Sequence, residues 1–215
     1  MSFTAAAYGL LAMLAPKRCA GCDEIVDENA EAFCGACEPL LERASGALAT
    51  HAAFVYGGPL ADAIRRYKYG GRSELASPLG NLFAREARAR FAGTIEVVLP
   101  VPPHPRRLAE RGFDASGLLA IHVARALGAK YRPGVITRAR DTPPQASLAR
   151  AQRARNVTGC FAIRASLDAQ RVLVVDDVRT TGATMFEMAR TADDAGASSI
   201  ALFALAAADP DDRAT

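Results

Sequence analysis

The 215-residue sequence lacks tryptophan, a strong net charge and any long apolar run. No apolar stretch reaches the ~18–20 residues that cross a bilayer, which excludes a multi-span membrane protein. The net charge of +3 is too small to indicate a nucleic-acid partner by itself. Because 50% of the residues are hydrophobic, disorder is excluded as the dominant state.

Lysine is also scarce, since Lys17, Lys68 and Lys130 are the only lysines among 26 basic residues. All the other basic residues are arginines, whose planar guanidinium can bind a phosphate through two parallel hydrogen bonds. A codon bias toward arginine and alanine would produce the same composition. Composition alone therefore leaves both explanations open.

The five cysteines are the one unusual count, because four of them form two C-x-x-C pairs. Cys19, Cys22, Cys34 and Cys37 can close a tetrahedral metal site, and this spacing is typical of structural zinc. Two disulfides or an iron–sulfur cluster remain alternatives. A closed four-thiolate site leaves no open position for a substrate. Cys160 stands alone and is interpreted as a packing residue.

The apolar residues 3–15 could be mistaken for a signal peptide, but they lack the basic region that precedes a secretory signal. We expect an amphipathic or buried helix there instead. Reduced, metal-binding cysteines are typical of proteins of the cytoplasm. The sequence therefore predicts a cytoplasmic protein with no membrane span.

The length predicts one full domain plus a small module. We expect an N-terminal helix and zinc-ribbon module at 1–50, a larger domain at 51–208 and a charged tail at 209–215. Apolar runs alternate with helical periodicity in the larger domain, which predicts an α/β fold with a parallel sheet. The predicted strands lie at 53–56, 95–101, 135–136, 171–175 and 199–206, and the predicted helices begin near residues 59, 78, 114 and 184.

Two arginine-rich segments have no clear periodicity and are predicted to be loops. One follows the strand at 95–101 and contains several prolines. The other runs from 138 to 158 and is too long for an ordinary connection, so we interpret it as a functional loop or lid.

The strand at 171–175 is followed by a segment suited to a sugar phosphate. Asp176 and Asp177 can accept hydrogen bonds from vicinal hydroxyl groups, and ligands of open α/β sheets bind where strands end. A glycine among small residues lets backbone amides face an anion at a helix N-terminus. The residues of this phosphate-binding hypothesis are Arg179, Thr180, Thr181, Gly182, Ala183 and Thr184. A capping box between Thr184 and Glu187 is an additional role for that threonine.

The segment VLVVDDVRTTGAT resembles the phosphoribosyl-pyrophosphate (PRPP) motif of type I phosphoribosyltransferases. From about residue 10 to 206 the chain resembles the ComF family, in which a zinc ribbon precedes a transferase domain. The other residues that carry this resemblance are Lys68, Tyr69, Gly70, Gly71, Pro100, Val101, Pro102, His104, Pro105, Arg106, Arg107, Arg111, Gly112, Phe113, Gln145, Leu148, Arg153, Asn156, Gly159 and Phe161.

The resemblance implies roles for these residues. Asp176 and Asp177 would be catalytic and would contact the ribose hydroxyls directly or through Mg²⁺, while residues 180–184 would hold the 5′-phosphate. Pyrophosphate would be bound after the strand at 95–101, and the loop at 138–158 would cover the reacting centre. The candidate residues for the pyrophosphate and for this loop are Arg106, Arg107, Arg111 and Arg153.

Several residues depart from the family pattern or have a simpler reading. Asp114 stands where the family often has an amide, which weakens a ligand role there. Arg179 fills a variable position, so its side chain can face solvent. The arginines at 106, 107 and 111 can also form a solvated basic loop. We interpret His104 and His122 as structural.

Two functions follow from the resemblance. One is transfer of a phosphoribosyl group from PRPP to an unknown nitrogen nucleophile, with a link to DNA uptake. The alternative is a non-enzymatic competence protein that senses PRPP and binds single-stranded DNA or the DNA-uptake machinery. The absence of tryptophan leaves few aromatic platforms for stacked bases.

Overall fold

The centre of the fold is a five-stranded parallel sheet. The structure, a computed structural model, describes residues 16–27, 29–139 and 159–208. Its strands are β1 (Ala52–Val55), β2 (Val97–Pro100), β3 (Lys130–Tyr131), β4 (Ile136–Arg138), β5 (Phe161–Ile163), β6 (Arg171–Arg179) and β7 (Ser199–Ala207). The sheet order is β1-β7-β6-β2-β3, with every neighbouring pair parallel. The predicted α/β fold with a parallel sheet is confirmed.

Helices cover both faces of this sheet. They are α1 (Gly46–Ala49), α2 (Gly58–Tyr69), α3 (Ala76–Phe91), α4 (Pro105–Arg111), α5 (Ala115–Leu127) and α6 (Ala183–Asp194), with 3₁₀ turns at Glu38–Leu40 and Ser73–Leu75. The four helices predicted near residues 59, 78, 114 and 184 are confirmed as α2, α3, α5 and α6. The predicted helix at 3–15, most of the loop at 138–158 with Arg153, and the tail lie outside the described residues.

Alternate residues of the central strands pack into two apolar layers. Leu173 and Phe203 face α3 and α5, and the Phe203 ring lies 5.3 Å from that of Phe83. Val174 and Met185 belong to the second layer, on the side of α6. Strands buried on both faces need continuous apolar sequence, which explains the clear signal of β2, β6 and β7.

The strand that carries the paired acids is longer than expected. β6 pairs with β7 as far as Arg179, but it pairs with β2 only as far as Val175. Asp176 and Asp177 therefore lie within the strand, not after its end as the sequence suggested. Because β2 ends first, one edge of β6 is open beside these two residues.

The strand expected near 135–136 is β4, but it does not join the main sheet. It pairs antiparallel with β5 in a separate two-stranded sheet. β3 and β5 were not predicted, because two- and three-residue strands have too few positions to show a period.

The expected proline–arginine loop after β2 contains a helix, α4. Pro105 occupies its first turn, where a missing amide proton costs nothing, and His104 Nδ1 accepts a hydrogen bond from the Arg106 amide. Gly112 ends the helix in the left-handed conformation with φ +77°. The loop prediction was wrong because seven residues are too few to reveal helical periodicity.

The cysteine-rich segment packs on the larger domain. Cys19, Phe33 and Cys37 share one apolar core with Leu60 and Ile64 of α2. The boundary at residue 50 stays a prediction. Within the described residues, every helix is too short or too polar to cross a membrane.

Candidate functional site

A cleft of about 650 Å³ opens above the carboxyl end of β6. The end of α2, the helix α4, the start of α5 and the segment from β6 to α6 all contribute to its walls. The cleft brings together the predicted residues Asp176, Asp177, Arg179, Thr180, Thr181, Gly182, Ala183, Thr184, Arg106, Arg107 and Arg111. Residues far apart in sequence thus meet where parallel sheets bind ligands.

The two acids are held by different partners. The Lys68 ammonium lies 2.7 Å from Asp177 Oδ1. Asp176 Oδ1 accepts a 2.8 Å hydrogen bond from the Ser116 hydroxyl and a 2.9 Å hydrogen bond from the Asp177 amide. Asp177 is only 4% exposed, whereas Asp176 is partly open to the cleft.

Burial and the nearby Asp177 charge raise the pKa of Asp176 to about 7. Lys68 and the Ser116 hydrogen bond act in the opposite direction by stabilising the ionised form. The Asp176 carboxyl group therefore gains or loses its proton near neutral pH. A cation or a pair of hydroxyl donors in the cleft would favour the fully ionised pair.

The turn between β6 and α6 is shaped for an anion. Gly182 caps the helix with φ +79°, which glycine adopts readily, and an added Cβ would lie 2.8 Å from Arg179 Nε. The amide groups of Thr180, Thr181 and Gly182 donate no hydrogen bond to another described residue. These amides and the positive end of the twelve-residue helix α6 can together bind a phosphate.

The arginines of α4 form one wall of the cleft. Arg106 is exposed and pairs with Glu110 at 2.8 Å, as a solvated basic residue would. Arg111 stacks on Tyr69, with its Cζ 4.8 Å from the ring centroid. Its Nη2 is buried and has no hydrogen-bond partner among the described residues. Arg111 is therefore the arginine of this helix best placed to donate to a bound anion.

Two residues that depart from the family pattern have structural partners. Asp114 caps α5 and accepts a 2.9 Å hydrogen bond from the Gly117 amide, and burial raises the pKa of its carboxyl group. The Arg179 guanidinium lies over the Phe186 ring, 5.9 Å from its centroid. An aspartate at 114 thus suits a helix cap.

The structure also gives the partners of the two histidines and of the residues in the expected capping box. His104 caps α4, and His122 Nδ1 lies 2.9 Å from Asn81 Oδ1. Gly182, not Thr184, occupies the N-cap of α6, and the Glu187 carboxylate accepts from the Gly159 amide at 2.6 Å. The capping-box interpretation of Thr184 was therefore wrong.

Three cleft residues have no assigned site role in the sequence analysis. Lys68 is one of only three lysines, and this scarcity was the available signal. Ser116 gives no signal, because its contact with Asp176 joins positions sixty residues apart. Arg138 lies in β4, and its Cζ is 5.3 Å from the Phe161 ring centroid.

The four cysteines Cys19, Cys22, Cys34 and Cys37 converge on one point. Their sulfur atoms all lie within 4.8 Å of one another, and Cys22 Sγ is 3.7 Å from Cys34 Sγ. Zinc–sulfur bonds of about 2.3 Å in a tetrahedron give sulfur separations of ~3.8 Å, so these residues fit a metal ion. The described cysteines form no disulfide.

Hydrogen bonds prepare one of these thiols for a metal. Burial alone would raise the pKa of Cys19, but backbone amides at Cys22, Cys34 and Gly21 lower it to about 6. The Cys34 amide lies 3.2 Å from the Cys19 sulfur. The buried Cys160 lies in the apolar layer on the α6 side, which supports its role in packing.

Comparison with known proteins finds relatives with names linked to DNA. The chain is 32% identical over 154 residues to the DNA utilization protein YhgH of Escherichia coli O6:H1, covering 70% of this chain and 68% of that protein. It is 28% identical over 160 residues to competence protein F of Haemophilus influenzae, covering 71% and 70%. A comparison with models of protein families gives no match.

Among solved structures, the chain is similar to the allosteric regulatory enzyme of purine biosynthesis, with 22% identity and a TM-score of 0.45. That similarity covers 65% of this chain and 29% of the enzyme. The adenine phosphoribosyltransferase of Trypanosoma brucei is similar at 14% identity and a TM-score of 0.41, covering 65% of this chain and 66% of that one.

Proposed function

The chain belongs to the ComF family, whose members it matches over about 70% of its length, and we propose that its cleft binds PRPP. This proposal is supported by the position of two groups in one cleft. Asp176 and Asp177 lie on the open edge of β6, and they share the cleft with the turn before α6, whose backbone amides donate no hydrogen bond to another described residue. A ribose phosphate has vicinal hydroxyl groups and a phosphate, which are the groups that such carboxylates and amides bind.

Each part of the ligand has a chemical counterpart in the cleft. The carboxylates of Asp176 and Asp177 accept hydrogen bonds from the 2′- and 3′-hydroxyl groups. The amides of residues 180–184 and the threonine hydroxyls hold the 5′-phosphate. Arg111, Arg107 and Lys68 supply positive charge to the pyrophosphate.

The same residues suit the ions that we propose as cofactors. Mg²⁺ binds oxygen ligands and neutralises phosphate charge when it accompanies PRPP. Asp176 and Asp177 offer carboxylate oxygens to such an ion. We assign structural Zn²⁺ to the four cysteines, and their reduced thiols favour a cytoplasmic location.

We further propose that the cleft supports phosphoribosyl transfer, with Asp176 and Asp177 as the catalytic residues. The bond from the anomeric carbon to pyrophosphate breaks, and the pyrophosphate leaves with the electron pair. An acceptor nitrogen bonds to that carbon and gives up its proton to solvent. The carboxylates orient the ribose and stabilise positive charge that develops on the sugar in the transition state.

A pyrophosphate-release assay tests this reaction. The protein with Mg²⁺ and PRPP is offered purines, pyrimidines and amines, and the Asp176→Asn/Asp177→Asn variant serves as the background. Acceptor-dependent release that is absent from the variant supports transfer. Tight PRPP binding without release for any acceptor would contradict transfer while leaving ligand binding intact.

The rim of the cleft favours a second candidate, an accessory role in handling single-stranded DNA during uptake. Tyr69 is 69% exposed and is stacked by Arg111, and such a pair can stack a nucleobase. The names of the relatives are consistent with this role. Salt-sensitive binding of an oligothymidine that Tyr69→Ala weakens would support it. Equal binding by the variant would count against it.

A further inference from the structure

The last turn of α2 connects four parts of the molecule through four consecutive residues. Arg66 donates a hydrogen bond to the Gly21 carbonyl in the first cysteine pair, and the Tyr67 hydroxyl donates to the Ala115 carbonyl at 2.9 Å. Lys68 pairs with Asp177, and Tyr69 stacks with Arg111. A shift of this turn would therefore move groups in the cleft and groups beside the metal site together.

The loop between Cys19 and Asp23, which we call the knuckle, contacts the first turn of α2 and the segment that follows the helix. A Cβ on Gly21 would lie 2.8 Å from the Pro59 side chain in the first turn of α2 and 3.0 Å from Cys37 Sγ. Beyond the other end of the helix, Arg72 Nη1 donates to both carboxylate oxygens of Asp23, at 3.1 and 3.2 Å.

Asp23 is held in an unusual backbone conformation. Its φ is +68°, in the left-handed region that glycine adopts at lower cost. Its carboxylate faces two arginines, since Arg66 Nη1 lies 3.7 Å and Arg72 Nη1 lies 3.1 Å from Asp23 Oδ1. A glycine at this position would adopt the same backbone conformation at lower cost but would make no ion pair. The two ion pairs are therefore what the aspartate contributes.

We propose that Arg66 and Arg72 are positioning residues that fix the last turn of α2 on the knuckle and thereby hold Lys68 beside Asp177. Metal binding by the four cysteines orders the knuckle and so increases the affinity of the cleft for its ligand. By thermodynamic reciprocity, the ligand increases metal affinity by the same factor. The predicted effect of the metal on the cleft rests on the proposed function, because PRPP is the ligand whose affinity is measured.

Hydrogen–deuterium exchange tests the positioning role without any ligand. In the zinc-loaded full-length protein, Arg66→Met should speed exchange in residues 66–72 about tenfold, and Arg66→Lys should have a smaller effect. The matched control is Arg85→Met. Arg85 pairs with Glu31 of the cysteine-rich segment at 2.7 Å, but it lies in α3, which adds no described residue to the cleft lining. Unchanged exchange in Arg66→Met, or equal acceleration in Arg85→Met, would overturn the proposal.

Equilibrium competition with a zinc chelator tests the coupling. PRPP with Mg²⁺ should raise the zinc affinity of the wild type about tenfold and should leave that of Arg66→Met almost unchanged. A merely structural arginine would lower zinc affinity equally with and without PRPP, and that result would contradict coupling. If the wild type binds no PRPP, the proposed function fails, while the exchange experiment still decides the positioning role.

Discussion

Lys68 and Asp177 form a nearly buried ion pair with an Nζ–Oδ1 distance of 2.7 Å and side chains only 12% and 6% exposed. Asp176 lies next to this pair, so two carboxyl groups share a single ammonium. Such an arrangement is costly in the absence of a ligand, because burial penalises each charge. We expect the cost to be offset when the cleft holds a cation or hydroxyl donors.

Replacing Lys68 should destabilise the protein in a pH-dependent way. Lys68→Met leaves the Asp177 carboxylate buried without its cation, and loss of one partner of a buried pair costs about 3–5 kcal/mol. The loss should be largest above pH 7 and smaller near pH 5, where Asp176 binds a proton. Denaturant unfolding at several pH values measures it. Lys130→Met, at an exposed position in β3, is the control, and an equal loss there would refute the assignment.

Asp176 should make the wild type less stable as pH rises. Its pKa is about 7 in the folded state and about 3.9 in unfolded chains, so between these values only the folded state retains the proton. The free energy of unfolding therefore falls as pH increases from 4 to 7. Asp176→Asn removes this pH dependence and should be more stable than the wild type by up to about 4 kcal/mol at pH 8.

The same variant should match the wild type closely only below about pH 4, where Asp176 is protonated in both the folded and the unfolded state. Asparagine can still accept the hydrogen bonds from Ser116 and from the Asp177 amide, so the local geometry is retained. Comparing variant and wild type at each pH cancels the contributions of the histidines. A stability difference that does not change with pH would contradict the raised pKa.

Gly182→Ala should weaken PRPP binding at least tenfold. The methyl group would meet Arg179 Nε at 2.8 Å and the Phe186 ring at 2.9 Å, which distorts the amides that face the phosphate. Gly134→Ala is a matched control, because Gly134 has φ +85° but open space around its Cβ position. The left-handed backbone conformation should cost each variant about 1–2 kcal/mol of stability. Calorimetry should show weaker binding in Gly182→Ala alone, and equal weakening in both would argue against the phosphate site.

Elemental analysis should find one zinc ion per chain of the reduced protein. Cys22→Ser should lower the zinc content because it removes one of four thiolates, whereas Cys160→Ala should retain it. Visible absorption with stoichiometric iron would instead indicate an iron–sulfur cluster. Absence of both metals would refute the metal site.

The sequence predicts the parts of the site whose signals are local. The turn from Thr180 to Thr184 follows an apolar strand and precedes a helix, and all of this lies within one short segment. The cysteine pairs are likewise defined by spacing alone. In the structure the residues of the turn line one cleft, and the four cysteines form one separate cluster, as expected.

The remaining features depend on tertiary contacts. Whether β6 ends at Val175 or Arg179 is decided by β7, which continues to pair where β2 stops. Ser116 and Lys68 reach the acids only because α5 and α2 pack beside β6. Helix α4 was missed although it has a local signal, the proline Pro105 in its first turn.

Calorimetric titration of PRPP in the presence of Mg²⁺ tests the central claim most directly. The zinc-loaded wild type should bind PRPP, and Asp176→Asn/Asp177→Asn should abolish that binding. Lys130→Met, which changes a charge at the far edge of the sheet, should bind as the wild type does. A wild type that does not bind PRPP, or a double variant with unchanged affinity, would contradict the account.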